Sequence, residues 1–186
     1  MQNVRFHPGP DSPANGGGDG GGGLGGGAEC SGGASGGRLN LLLSYAGWQQ
    51  DPWVERLPRM LEPMGVRSLQ AGSGREASRF IEHEPIHIAV VDLALPFDDS
   101  PQAGGLMEAG PRLLDVLGRL RCPPPTVVVK RSKTLRDDQR ELSASLKAGA
   151  FAVIDRPHTT GDLESLLDVL RRILKRHYAG RWPGMG

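Results

Sequence analysis

The stretch Pro85-Ile86-His87-Ile88-Ala89-Val90-Val91-Asp92-Leu93-Ala94-Leu95-Pro96 decides the fold. From Ile86 to Val91 it is apolar apart from His87, which predicts a short strand covered on both faces. The strand runs straight into Asp92, placing one carboxylate at its carboxyl end. A strand covered on both faces needs helices on either side of its sheet, and both flanks supply them.

Upstream, Leu39-Asn40-Leu41-Leu42-Leu43 is a second apolar run of strand type. Asp51 to Met64 has helical spacing, with Val54, Leu57, Met60 and Leu61 on one face; Pro58 is expected to limit its first turn or kink it. Val66 to Leu69 is another short strand. Ser73-Gly74-Arg75-Glu76 has capping-box spacing and opens a helix carrying Ala77, Phe80 and Ile81 inward. Downstream, Gly110-Pro111 opens a helix with Leu113, Leu114, Leu117 and Leu120 as its stripe. Thr126 to Val129 is a β-branched strand. Asp137 to Lys147 is a helix ending near Gly149, and Phe151 to Ile154 is a fifth strand. Asp162 to about Tyr178 is the clearest helix, with Leu163, Leu166, Leu167, Leu170, Ile173 and Leu174 inward, acids in its first turn and bases in its last.

Five alternations of strand and helix predict an α/β fold: a flavodoxin-like, doubly wound, five-stranded parallel sheet with helices on both faces. In such sheets functional groups gather at the carboxyl ends of the strands. Those ends carry Ser44 and Tyr45, Asp92, Lys130 and Arg131, and Asp155 and Arg156 before Pro157. The plain reading of Asp92 is a turn or cap residue.

Residues 1–37 are mostly Gly, Pro, Ser, Ala and Asn. Ordering a chain costs roughly 1–2 kcal/mol per residue for the backbone, which such a segment cannot offset by burial. It is expected to be a disordered Gly-rich tail rather than a phosphate loop, since no strand precedes it. The domain is then 38–179, with a short C-terminal tail, 180–186, and no output domain after it. Lys plus Arg number 22 and Asp plus Glu 21, a balance that disfavours nucleic-acid and membrane-surface binding. No signal sequence or membrane-length apolar run is visible, and Cys30 and Cys122 have no metal-ligand spacing. Free thiols and a cytoplasmic location are the expectation. His83, His87 and His158 lack ligand spacing, although His158 falls near the strand ends. Trp48, Trp53 and Trp182 are expected to pack or to anchor an interface. No nucleophile elbow, P-loop or dinucleotide fingerprint occurs, so no catalytic residue is assigned and the chain is not read as an enzyme.

Three segments carry a family resemblance. Ala71-Gly72-Ser73-Gly74-Arg75-Glu76-Ala77 resembles the entry to the second helix of response-regulator receiver domains of two-component systems. The stretch from Pro85 to Pro96 is similar to their phospho-acceptor strand. Lys147-Ala148-Gly149-Ala150, followed by Arg156-Pro157, resembles their approach to and exit from the fifth strand. The resemblance covers about Leu39 to Tyr178 and implies that Asp92 stands at the phospho-acceptor position. It also shows where this chain departs. The acidic pair that holds Mg²⁺ in the family falls on Ser44 and Tyr45, or on Gln49 and Gln50; neither supplies carboxylates, so no cofactor is expected and Mg²⁺ only weakly. The family's switch Ser or Thr falls on Lys130, its lysine on Arg156, and its aromatic switch on Val153. The stretch from Pro96 to Gly110 is longer than the family norm. Its Asp98, Asp99 and Glu108 are candidate substitute metal ligands, against the plainer reading of a solvated or partner-binding loop. Lys130 to Arg136 is also longer and basic.

The resemblance implies a divergent, pseudo-receiver-like signalling module acting through a protein partner: a histidine kinase, an output protein or a second copy in a homodimer. The expected surface is the face of the fourth helix, fifth strand and fifth helix, including Arg140, Arg171 and Lys175. A working phospho-receiver, a small ligand-binding protein or enzyme on the same fold, and an atypical DNA-binding regulator are the alternatives. Strands lie about 4.8 Å apart, so Lys130 or Arg156 is expected to pair with Asp92, holding one conformation without covalent modification and weakening Asp92 as a nucleophile.

Overall fold

The computed structural model describes residues 38–46, 52–98, 108–130 and 134–179. The expectations for the two tails, for Gln49 and Gln50, for Trp48 and Trp182 and for Asp99 fall outside them.

β1 (Leu39–Ser44), β2 (Val66–Ala71), β3 (Ile88–Asp92), β4 (Thr126–Lys130) and β5 (Ala152–Asp155) form one sheet in the order β2-β1-β3-β4-β5. Every pairing is parallel. The helices are α1 (Pro52–Leu61, followed by a 3₁₀ turn at Glu62–Met64), α2 (Gly74–His83), α3 (Gly110–Gly118), α4 (Leu135–Lys147) and α5 (Thr160–His177). This is the flavodoxin-like doubly wound architecture expected from the alternation, with the reversal of strand order between β1 and β3. Among the described residues no helix is long and apolar enough to cross a membrane.

Side-chain alternation divides each strand between two cores. Leu41 and Leu43, Ile88 and Val90, and Val127 and Val129 face the core shared with α1 and α5. Leu42, Ala89 and Val91 face the core shared with α2 and α3, and Val128 packs with Leu93 and Leu114. Trp53 is buried in the first core, as a packing residue.

Local signals set the helix ends. The Ser73 hydroxyl accepts the Glu76 N–H, but the Glu76 carboxylate reaches back to the Gly72 N–H rather than closing the box on Ser73 itself. α5 has the full capping box, between Thr159 and Asp162. α4 ends with Gly149 at φ 90°, the Gly149 N–H on the Leu146 carbonyl and the Ala150 N–H on the Ser145 carbonyl, the two bonds of a Schellman motif. α1 runs through Pro58, and α3 stops at Gly118, leaving Leu120 beyond it but still against the core.

One expectation is corrected. Cys122, exposed in the α3–β4 loop, is disulfide-bonded rather than a free thiol. Metal-ligand spacing says nothing about which loops bring thiols together, so the sequence argument for a reducing compartment falls away. The other cysteine, Cys30, lies outside the described residues.

Candidate functional site

Asp92 ends β3 with no solvent exposure, and Arg156, the first residue after β5, is 5% exposed. The guanidinium Nη2 of Arg156 donates to Asp92 Oδ2 in a buried ion pair. The other carboxylate oxygen, Oδ1, accepts the Ala94 N–H at 2.8 Å. Ser44 fastens β3 to β1: its hydroxyl donates to the Val90 carbonyl at 3.2 Å and accepts the Asp92 N–H at 3.2 Å. Both carboxylate oxygens and the backbone amide of Asp92 are thus engaged within the protein.

The loop after Asp92 closes over it. Leu93, Ala94 and Leu95 are all buried, and the Leu95 N–H bonds the Asp92 carbonyl. The following residues pin two helix starts: the Gly74 N–H donates to the Pro96 carbonyl and the Ala109 N–H to the Leu95 carbonyl. Gly110 lies so close that a Cβ there would meet the Asp92 carbonyl oxygen and Leu93 Cα, each at 2.5 Å. Only a glycine allows α3 to start against the backbone of Asp92.

Lys130 does not reach Asp92. Its ammonium pairs with Asp155 Oδ1 at 2.6 Å and Asp138 Oδ1 at 3.2 Å. The hydrogen bond to Asp155 chiefly raises its pKa above the ordinary lysine value, with burial acting in the opposite sense. Strand parity explains the split. Asp92 follows Ile88 and Val90 on the face of α1 and α5, and Arg156 follows Ala152 and Ile154 on the same face. Lys130 follows Val128, and Asp155 follows Val153, on the opposite face. Lys130 and Asp155 are also direct register partners. Arg156 is therefore the residue that reaches across β4 to Asp92. The pairing of Lys130 with Asp155 and Asp138 was missed by counting strand ends alone; the period-2 alternation carried the signal.

The remaining candidates scatter. Tyr45 packs against the α1/α5 core. Val153 is half-buried beside Leu93 and Val128. Asp98 pairs with Arg75 at 2.5 Å, and Glu108 is exposed at an isolated bridge with Pro96. His158 is exposed, its N–H donating to Asp162. Among the described residues no group of three or more His, Cys, Asp or Glu is placed to hold a metal ion. The divalent cation that the resemblance implies does not fit the described donors: the Asp92 carboxylate is bound by a guanidinium, and the Ser44 hydroxyl beside it is engaged with backbone.

Solved structures similar to the chain agree with this architecture. They include a CheY-like response-regulator receiver domain protein from Methanospirillum hungatei (26% identity, TM-score 0.53, covering 74% of this chain and 98% of that one). The receiver domain of Francisella response regulator 1452 is similar at 17% identity (TM-score 0.55, covering 75% and 98%). The signal receiver domain of a signal transduction histidine kinase from Syntrophus aciditrophicus is similar at 22% identity (TM-score 0.54, covering 80% and 97%). No protein-family model matches the sequence, and no curated protein matches it. The chain shares the receiver-domain fold of these response-regulator structures.

Proposed function

We propose that this domain is a receiver-like signal-transduction module that works by binding a protein partner, with Asp92 not phosphorylated. One observation carries the reading: the Asp92 carboxylate has no solvent exposure and is paired with the buried Arg156 guanidinium. An acceptor must attack a phosphorus atom, which requires an accessible oxygen and room for the incoming phosphoryl group. A cation beside a carboxylate also lowers its basicity and so its nucleophilicity. The Arg156–Asp92 pair stands where a phosphoryl group and metal ion would otherwise hold the switch, and fixes one state.

The surface offered to a partner is that of α4, β5 and α5, where Arg140, Arg171 and Lys175 are exposed together with Leu135, Leu142 and Leu146. A histidine kinase, an output protein or a second copy is the partner class, and a non-enzymatic role belongs to the same proposal. The test is incubation with a small phosphodonor and Mg²⁺ followed by intact mass measurement. No phosphoryl adduct is expected on the native chain. An adduct lost in Asp92→Asn would establish the working phospho-receiver instead.

A further inference from the structure

α4 is weakly anchored for a helix of this fold. Among its residues only Ser145 is buried, whereas α5 buries Leu163, Leu166, Leu167, Leu170, Ile173 and Leu174. Leu135, Leu142 and Leu146 of α4 are 84%, 40% and 50% exposed. At 100° per residue these three fall within a narrow arc, so the helix turns an apolar stripe outward instead of inward. Burial of an apolar face usually holds a surface helix in place, and here that term is small. Something else must fix the start of α4 against the sheet.

Lys130 is placed to do so. It is the last residue of β4, and its side chain is 12% exposed. Its ammonium touches a carboxylate of β5, Asp155, and one in the first turn of α4, Asp138. Two carboxylates that both touch one nitrogen are close neighbours of each other. Without the ammonium they would repel, so its loss would both cut a tie and push the start of α4 away from β5.

We propose that Lys130 is a latch: held between Asp155 and Asp138, it fixes α4, and the apolar stripe that α4 presents, independently of Asp92. The idea goes beyond the reading of Asp92, because parity puts the two ion pairs on opposite faces of the sheet. A partner or a modification that took the charge of Lys130 would free the start of α4 without touching the buried carboxylate.

Amide hydrogen exchange on the full chain tests this. In Lys130→Met, the amides of residues 135–142 should exchange about five- to tenfold faster, the scale expected for losing a partly buried ion pair that governs local opening. Those of β3 and α5 should keep their native rates. Lys130→Arg should restore slow exchange in α4, and Asp92→Asn should leave it unchanged. Native exchange in α4 of Lys130→Met would overturn the latch. So would equal acceleration in β3 and α5, which would mark general destabilisation, or acceleration of α4 by Asp92→Asn. Should Lys130→Met fail to fold, Asp138→Asn cuts only the helix arm and is read the same way. A phosphoryl adduct on Asp92 alongside the expected exchange pattern would defeat the proposed function and leave the latch standing.

Discussion

The two ends of the sheet solve the same problem with different chemistry. At the carboxyl edge a full negative charge, Asp92, is buried and matched by a full positive charge, Arg156. At the amino edge the Arg67–Glu84 pair stays exposed, and the more buried polar groups, Asn40, His87 and Tyr178, are neutral. The Asn40 N–H donates to His87 Nδ1 at 3.0 Å, the His87 N–H donates to the Asn40 carbonyl, and the Tyr178 hydroxyl donates to the His87 carbonyl at 2.5 Å. Because Nδ1 accepts, the proton of this imidazole sits on Nε2 and the ring is uncharged. A buried ion pair is costly to break by halves, because the survivor is a bare charge in a poor solvent. A neutral network costs less to lose but answers to protons. The carboxyl edge should therefore dominate stability, and the amino edge its pH dependence.

The largest effect is expected from splitting the pair. Arg156→Met removes the guanidinium and leaves the Asp92 carboxylate buried, which should cost about 3–5 kcal/mol in urea unfolding at neutral pH. The loss should shrink at low pH, where Asp92 can take up a proton: without its cation and out of water, its folded pKa rises above the unfolded value. Replacing both partners, Asp92→Leu with Arg156→Met, should recover most of the stability, because apolar groups of similar volume need no compensation there. A single-variant loss under about 1 kcal/mol would mean that the pair is solvated and that the contrast between the edges fails.

The middle effect belongs to His87. Burial lowers its pKa below the ordinary value of 6.5. Below pH 6.5 the unfolded chain therefore binds more protons at this residue than the folded one does, and stability falls as pH falls. Protonation also requires Nδ1 to give up the Asn40 N–H. His87→Gln keeps an acceptor that does not titrate near neutrality. Subtracting its stability curve from that of the native chain should leave a difference that is flat above about pH 7 and falls through the region below 6.5. Superimposed curves would show that His87 contributes no pH dependence.

How far this was legible in the sequence depends on the kind of signal. The five-stranded parallel architecture followed from alternation, because parallel crossovers leave few choices, and two helix ends followed from Ser73 and Gly149, whose caps are local; the Thr159 cap, one turn before the helix start read at Asp162, did not. The place of Asp92 at the carboxyl end of β3 was legible because an apolar strand ending in one acid is a one-dimensional pattern. The choice between Lys130 and Arg156 was not settled by listing strand ends: both side chains are long enough, and only parity assigns them to different faces. The amino edge stayed hidden. Asn40, His87 and Tyr178 are far apart in sequence, and a lone histidine on a strand carries no mark of the backbone amide it will accept.

The smallest effect tests whether the two ends are independent. The Tyr178 ring packs beside the α1/α5 core and stands edge-on to the His87 ring, with centroids 6.3 Å apart. Burial pushes its phenol above the ordinary pKa, so the hydroxyl remains a donor through the neutral range. Tyr178→Phe keeps the ring and removes one hydrogen bond to a backbone carbonyl, a change expected to cost about 0.5–1.5 kcal/mol. Its coupling to other variants is more telling than its size. Tyr178 and His87 touch, so Tyr178→Phe and His87→Gln should deviate from additivity by at least about 0.5 kcal/mol. Tyr178 and Arg156 lie at opposite ends of the sheet and share no partner in the contacts described, so Tyr178→Phe and Arg156→Met should add within about 0.3–0.5 kcal/mol. Strong coupling in the second pair would mean that the sheet transmits strain from one edge to the other, and the amino edge would then belong to the signalling site.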